Sequence, residues 1–190
     1  MTDEKLFKIL TSRYWSILSA FILGLGAFWI RASGLPKGSA PTEVIHAPQV
    51  GFFAPDFSLE SESGETITLS ELRGNPVLIN FWASWCSPCR TEMPAIQKVY
   101  EESAESGFVV LAINTTYQDS RGDAVTFAML HKLTFPILWD QTGDVAREYR
   151  INSLPTSFFI DRLGIIREVV IGGPMAEALL RTRIQKFLGD

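Results

Sequence analysis

Apolar positions along the chain fall into distinct patterns, and each predicts a different kind of element. Tyr14 to Ile30 is an uncharged run of 17 residues, YWSILSAFILGLGAFWI. At about 1.5 Å of helical rise per residue it spans roughly 25 Å, a little short of the ~30 Å hydrocarbon core, so the flanking Arg13 and Arg31 must reach out to the headgroups. Tyr14 and Trp15 at one end and Phe28 and Trp29 at the other lie where aromatic rings favour the water–lipid interfaces. The pattern predicts a transmembrane anchor over 14–30, preceded by an N-terminal segment, 1–13. Residues 31–50 contain Pro36, Pro41 and Pro48 with Gly34 and Gly38 and lack an apolar period, which predicts a flexible tether.

From residue 51 onward the period changes from element to element. Phe57 to Glu60 and Thr66 to Leu69, joined through Gly64, alternate as a short hairpin. The nearly unbroken run from Pro76 to Trp82 predicts a central strand covered on both faces. A helix is expected from Cys86 to about Ser106, with Met93, Ile96 and Tyr100 on its inner face and Pro94 bending it. There follow a strand over 108–114, a helix over 122–131, a short strand over 135–139 and a short helix over 144–149. An antiparallel pair over 157–161 and 165–171 comes next, and a last helix faces inward through Leu180, Ile184 and Phe187. Strands alternating with helices, then a hairpin and a helix, imply one α/β layered domain over 51–190 whose first strands are parallel.

Composition narrows the function classes. The 190 residues are 46% hydrophobic with a formal charge of −4, and the mean hydropathy is +0.13, which excludes a disordered chain and leaves no room for two large domains. A pI near 5.3 without a long basic run argues against nucleic acid as a partner. The acidity belongs to residues 51–190, with 18 acidic against 12 basic side chains. Lys5, Lys8 and Arg13 precede the apolar run while Arg31 and Lys37 follow it, a bias toward a cytoplasmic N-terminus and an exported C-terminal domain. A cleavable signal peptide with its exit at Gly38-Ser39-Ala40 is the alternative, and it also exports the domain. His46, in the tether, is read as a solvated side chain, and His131, near a helix end, as structural or solvated.

The chain has two cysteines, in Cys86-Ser87-Pro88-Cys89, directly after a buried strand and at the start of a helix. The unpaired N–H groups and the dipole of a helix N-terminus stabilise a thiolate, which makes Cys86 the expected nucleophile. One turn on, Cys89 points inward, close enough to close a disulfide and shielded from substrate, as a resolving thiol requires. Half of a zinc site is the competing reading, but a closed tetrahedral site needs four ligands and His46 and His131 are the remaining nitrogen donors. Two inert core cysteines fit poorly with a helix start that carries Ser and Pro between them.

Four segments together resemble the membrane-anchored thioredoxin-like proteins of the TlpA/ResA kind: Ala54-Pro55-Asp56-Phe57-Ser58-Leu59, the run VLINFWASWCSPCR from Val77 to Arg90, Glu92-Met93-Pro94, and Leu154-Pro155-Thr156-Ser157-Phe158-Phe159-Ile160-Asp161. The resemblance implies a thioredoxin fold with an added N-terminal hairpin and a central insertion around residues 114–135. It also implies that Leu154-Pro155 is a cis bond lying against the cysteine pair, with the neighbouring backbone, including Thr156, pairing with an extended substrate segment. Without the resemblance an ordinary trans proline is the plainer reading. The position of Glu92 matches a family acid that tunes the cysteines; the alternative is simply a favourable carboxylate in the first helical turns. Asn80 stands where thioredoxin carries a buried acid, and a neutral amide is no base. Trp85 and Pro88 are expected on the docking surface and Trp82 in the core.

These readings lead to a thiol–disulfide oxidoreductase tethered to the outer face of a bacterial membrane, without a cofactor. Its expected partners are disulfide-containing client proteins and a membrane thiol–disulfide electron donor. Apocytochrome c as client, and hence cytochrome c maturation, is what the resemblance implies. A peroxiredoxin is one alternative, opposed by Ile79 and Ala83 at positions where peroxide chemistry needs a proline and a hydroxyl. A non-catalytic client-binding assembly factor is another. Reductase, oxidase and isomerase share the same constellation.

Overall fold

The computed structural model describes residues 14, 15, 18, 20–26, 28, 29 and 45–189, so the readings made for 1–13 and 31–44 lie outside the described residues. The described positions within 14–30 are helical, with the side chains of Phe21, Ile22, Leu23 and Phe28 exposed. Among the described residues no helix is long and apolar enough to cross a membrane, so the expected span rests on its sequence pattern. The chain divides into two compact units, Met1–Glu43 and Val44–Asp190.

The second unit is built on a five-stranded sheet of order β5-β4-β3-β6-β7. Its elements are the hairpin β1 (Ser58–Glu60) and β2 (Thr66–Thr68), β3 (Val77–Trp82), α1 (Ser87–Glu102), β4 (Val109–Asn114), α2 (Arg121–Leu130) and β5 (Ile137–Trp139). They continue with α3 (Asp144–Glu148), β6 (Thr156–Ile160), β7 (Ile166–Ile171) and α4 (Glu177–Gly189). β3 is parallel to β4 and β4 to β5, whereas β6 is antiparallel to both β3 and β7. This is the thioredoxin fold with a hairpin added before it and α2 inserted between β4 and β5. The expected strand over 135–139 shortens to three residues because Pro136 has no N–H to give; its carbonyl instead accepts from Ala112 N–H at 3.0 Å. α1 runs through Pro94 and ends at Glu102, before a 3-10 turn at Ala104–Ser106.

Alternation along the strands sorts the core into two layers. Leu78 and Trp82 of β3, Val110 and Ala112 of β4 and Phe159 of β6 pack against α1, α2 and α4. Val77, Ile79 and Phe81, with Leu111, Ile113, Phe158 and Ile160, face the other way, onto α3 and the segments around Phe57 and Leu69. With both faces covered, every residue of β3 is buried, which explains its unbroken apolar run.

The segment before β1 is sewn to the sheet. Gly51 N–H donates to Ile166 O at 2.8 Å and Ala54 N–H to Gly164 O at 3.0 Å. Within 45–50, read as the end of the tether, His46 bridges to Phe53 and Ala47 N–H donates to Phe53 O at 3.0 Å. His46, read as solvated, donates from Nδ1 to Ala54 O at 3.0 Å. Tyr149, behind α3, ties this segment down: its hydroxyl donates to Pro55 O at 2.6 Å, and its ring meets Phe57, Phe81 and Phe158. Burial raises the pKa of this phenol well above its ordinary value, so it remains a donor at physiological pH. Tyr149→Phe keeps the ring and orphans the buried carbonyl of Pro55. It should cost about 1–2 kcal/mol of unfolding free energy, read as a lower urea midpoint at unchanged m-value.

Candidate active site

β3 delivers the chain to the site and α1 carries it away. Cys86 is the N-cap of α1 and its Sγ accepts from Cys89 N–H at 3.3 Å, so the sulfur occupies the place where a capping oxygen satisfies an orphan donor. Pro88 follows in the first turn, where a missing N–H costs nothing. Cys86 and Cys89 form a disulfide with Cα atoms 5.3 Å apart. Cys86 is 6% exposed and Cys89 fully buried, so the geometry orders the two sulfurs as the sequence predicts, with the outer one less open than expected.

A groove of about 370 Å³ opens over Cys86, lined by Trp85, Pro88, Tyr117, Asn152 and Leu154 among others. Trp85 is 59% exposed with its Nε1–H donating to Gln118 O at 3.0 Å, while Trp82 is buried in the core. Leu154-Pro155 is cis, as is Gly173-Pro174. Among the described residues the N–H and C=O of Leu154 make no hydrogen bond. Pro155 and Thr156 lie behind the groove rather than in its lining. Thr156 is buried, paired with Phe81 and Ile171 across the sheet, and its Oγ1 donates to Ser153 O at 2.7 Å. Of the expected docking residues, the structure brings Trp85, Pro88 and Leu154 to the groove wall and leaves Pro155 and Thr156 behind it.

Across Gly173 from Pro155 lies Glu92, three residues past Cys89 on the same face of α1 and 1% exposed. Its Oε1 accepts from Asn80 Nδ2 at 2.9 Å and its Oε2 from Met175 N–H at 2.8 Å. Burial raises its pKa above the ordinary carboxylate value, opposed by the Met175 N–H, the Asn80 amide and the positive charge of Arg183. Asn80 also donates to Ser157 Oγ at 2.9 Å, so the neutral amide holds the carboxylate rather than replacing it. Gly173 closes the space: a Cβ there would lie 2.6 Å from Glu92 Oε2 and 2.7 Å from Pro155 Cγ, hence no side chain fits between acid and proline. Glu92 is therefore a buried acid lying beyond the first turn of α1.

Several site residues escaped the sequence reading. Asp119, in the loop before α2, accepts from Ser84 N–H at 2.6 Å, from Ser84 Oγ at 2.5 Å and from Asn114 Nδ2 at 2.7 Å. Arg90 reaches back to Ser84 O at 3.1 Å while lying over Phe127, so two elements clamp the loop that precedes Cys86. Ile151, Asn152 and Ser153 line the groove as well. Nothing in their spacing marked them; the segment directly before Leu154-Pro155 was the available signal.

A profile of the AhpC/TSA family matches residues 50–169. The chain belongs to the AhpC/TSA family. It is 43% identical over 124 residues to the thioredoxin-like protein YneN of Bacillus subtilis, covering 65% of this chain and 72% of that protein. It is 39% identical over 146 residues to the thiol-disulfide oxidoreductase ResA of Oceanobacillus iheyensis, covering 75% and 72% respectively. Among solved structures, StoA of Bacillus subtilis superposes with a TM-score of 0.59 at 32% identity, over 67% of this chain and 95% of that one. A Chlorobium tepidum protein described as a thiol:disulfide interchange protein DsbE superposes with a TM-score of 0.68 at 34% identity, over 74% and 99%. Within its family this chain is a TlpA/ResA-type thioredoxin-like thiol–disulfide oxidoreductase.

The raised pKa of Glu92 has a thermodynamic consequence. The folded state holds this proton more tightly than the unfolded chain, so nothing is lost below the unfolded pKa. Stability then falls as the pH rises from there through the folded value. Glu92→Gln removes that loss. Its stability relative to the parent protein should therefore shift in its favour as the pH is raised from below 4.5 to neutrality, measured by urea denaturation of the oxidised forms.

Proposed function

We propose that the protein is a membrane-tethered, extracytoplasmic reductant of client disulfides, acting in cytochrome c maturation or in redox homeostasis outside the cytoplasm. The observation that carries the direction of attack is the pairing of a sulfur capping a helix at the mouth of a groove with a second sulfur fully buried behind it. In the reduced enzyme the Cys86 thiolate, favoured by the α1 N-terminus, attacks one sulfur of a client disulfide. A Cys86–client bond forms and the client's other sulfur leaves as a thiolate. Cys89 then attacks Cys86 Sγ, the mixed disulfide breaks, and the client departs as a dithiol. Two electrons have passed to the client and the enzyme keeps the Cys86–Cys89 disulfide.

The proposed roles of the neighbours follow from their placement. Leu154 offers an unpaired backbone N–H and C=O to an extended client segment, with Trp85 and Pro88 flanking the approach and Pro155 and Thr156 holding that backbone in place. Glu92, on the same helix face as Cys89, accepts the proton that Cys89 must lose in resolution, a task suited to a carboxylate whose pKa burial has raised. The apolar run over 14–30 anchors the chain in the bacterial cytoplasmic membrane with its N-terminus inside, and a membrane thiol–disulfide donor re-reduces the pair, since an exported compartment offers no reducing pool. A peroxidase reading is not favoured: Ile79 and Ala83, seven and three residues before Cys86, are fully buried apolar groups with nothing to position a peroxide.

Two measurements test this reading. Cys86→Ser should reduce protein disulfides no faster than the reductant alone, whereas Cys89→Ser should attack once and accumulate as a client-linked species on non-reducing gels. The reduction potential should lie near or below about −230 mV; a value near −120 mV would make the protein an oxidant and overturn the proposed direction.

A further inference from the structure

The sheet has a second end. β3 and β6 are antiparallel, pairing Phe81 with Thr156 near the cysteines and Val77 with Ile160 away from them. Four residue steps of about 3.4 Å therefore put the turn after β6, Asp161 to Ile165, at the end opposite the groove. This far end gathers Arg73, Arg162, Arg167 and Lys186, all exposed, on a folded unit that is acidic as a whole. Asp161 pairs with Arg167 at 2.7 Å. Among the described residues Arg73, Arg162 and Lys186 have no acidic partner within 4.0 Å. Arg73 donates to Leu163 O at 2.5 Å and lies over the Phe53 ring at 5.3 Å, and Arg162 donates to Gly74 O at 2.8 Å, so neutral groups hold both guanidinium groups. Gly164, at φ +83°, makes this possible: a Cβ there would lie 0.7 Å from Arg73 Nη1, where the guanidinium crosses the turn. At the apex Leu163 is 64% exposed.

The chain joins the folded unit at the same place. Phe52 O accepts from Ile166 N–H at 2.9 Å, and Phe53 pairs with Ile165, leaving Val50 and Phe52 exposed beside the turn. Fourteen residues, 31–44, lie between the expected span and the first described residue of this unit. Their reach is at most about 50 Å, which keeps this end concentrated near any bilayer that holds the anchor.

We propose that this end of the domain docks on an anionic phospholipid surface, with Arg73, Arg162 and Lys186 meeting lipid phosphates and Leu163 entering the headgroup layer, so that the Cys86 groove faces away from the membrane. The proposal rests on the membrane-anchor reading given above. Arginine suits phosphate through paired N–H donors, and each basic side chain near an anionic surface strengthens docking by about fivefold.

The test uses the full chain carrying Leu163→Cys, labelled with a polarity-sensitive fluorophore while Cys86 and Cys89 are oxidised and unreactive, in lipid nanodiscs. Phosphatidylglycerol discs should shift the emission to the blue, and phosphatidylcholine discs should not. The shift should collapse at about 0.5 M salt, where screening shortens to a few ångströms. Lys186→Gln, which removes a side chain with no bonded partner among the described residues, should lower the docked-to-free ratio about fivefold. Equal emission in both lipids, or a shift indifferent to salt and to Lys186, overturns docking while leaving the anchor intact, since the chain is then in the disc. A shift that appears only with two copies per disc overturns it in favour of self-association. A chain that does not enter discs at all overturns the anchor reading, and this proposal with it.

Discussion

The antiparallel pairing of β6 with β3 is the constraint on which the site depends. β3 ends where the cysteine loop begins, so a strand running the opposite way beside it must begin there, and the residues just before it are Leu154 and Pro155. The pairing of Phe81 with Thr156 thus places Leu154 and Pro155 beside the cysteine loop. β7 repeats the reversal on the other side, bringing Gly172, Gly173 and Met175 back to the same end, where Gly172 N–H donates to Pro155 O at 2.8 Å and Met175 N–H to Glu92. Three chain segments distant in sequence converge because two strands run against the third. A one-residue slip would turn Asn80 away from Glu92 and put a core side chain in its place.

Buried polarity at this end follows from that geometry. Asn80 belongs to the β3 face that packs on α1, between the apolar Leu78 and Trp82, and that face would be continuous hydrocarbon without it. An amide there supplies a donor to Glu92 and another to Ser157, while its own Oδ1 finds no partner among the described residues. An acid at that position would place two carboxylates within hydrogen-bonding distance in a dry site, and one would have to stay protonated. With Asn80 present a single carboxylate titrates there. The cost of burying it is offset by three opposing influences, the Met175 N–H, the Asn80 amide and the charge of Arg183.

Much of this was legible in the chain because local rules sufficed. A strand buried on both faces shows an unbroken apolar run, as Val77 to Trp82 does, and a helix start announces itself by Pro88 in its first turn. The order of the two sulfurs followed from the same helix start. The cis geometry at Pro155 was not legible from residue type, since an X–Pro bond reads the same in either isomer; it came through resemblance to a family. What local rules missed was long-range and polar. Asp119 is separated by 35 residues from the Ser84 it holds, Arg162 by 88 from the Gly74 carbonyl, and Tyr149 by 94 from Pro55. A periodicity reports which face is buried, and says nothing of which distant carbonyl a donor will find. His46 is exposed, as a solvated histidine should be, but a lone histidine among prolines carries no sign of the carbonyl it meets eight residues on.

The same strand pairings that build the groove also separate it from the place where the chain joins the sheet. Residues 51–54 pair with 164–166 at one end of β6 and β7, and the cysteine loop faces Leu154 at the other. A domain held by its N-terminal segment therefore presents its redox pair at the end away from the hold. An attachment at the cysteine end would put the holding segment across the approach that a folded or partly folded client must use. The hairpin β1–β2 and Tyr149 complete the division, because they fasten the incoming segment along the α3 face of the sheet, whereas α1, with both cysteines and Glu92, lies on the opposite face. The fold's two additions thus have separate consequences: the hairpin secures the incoming chain, and the loop before α2, through Asp119 and Gln118, shapes the approach to Cys86.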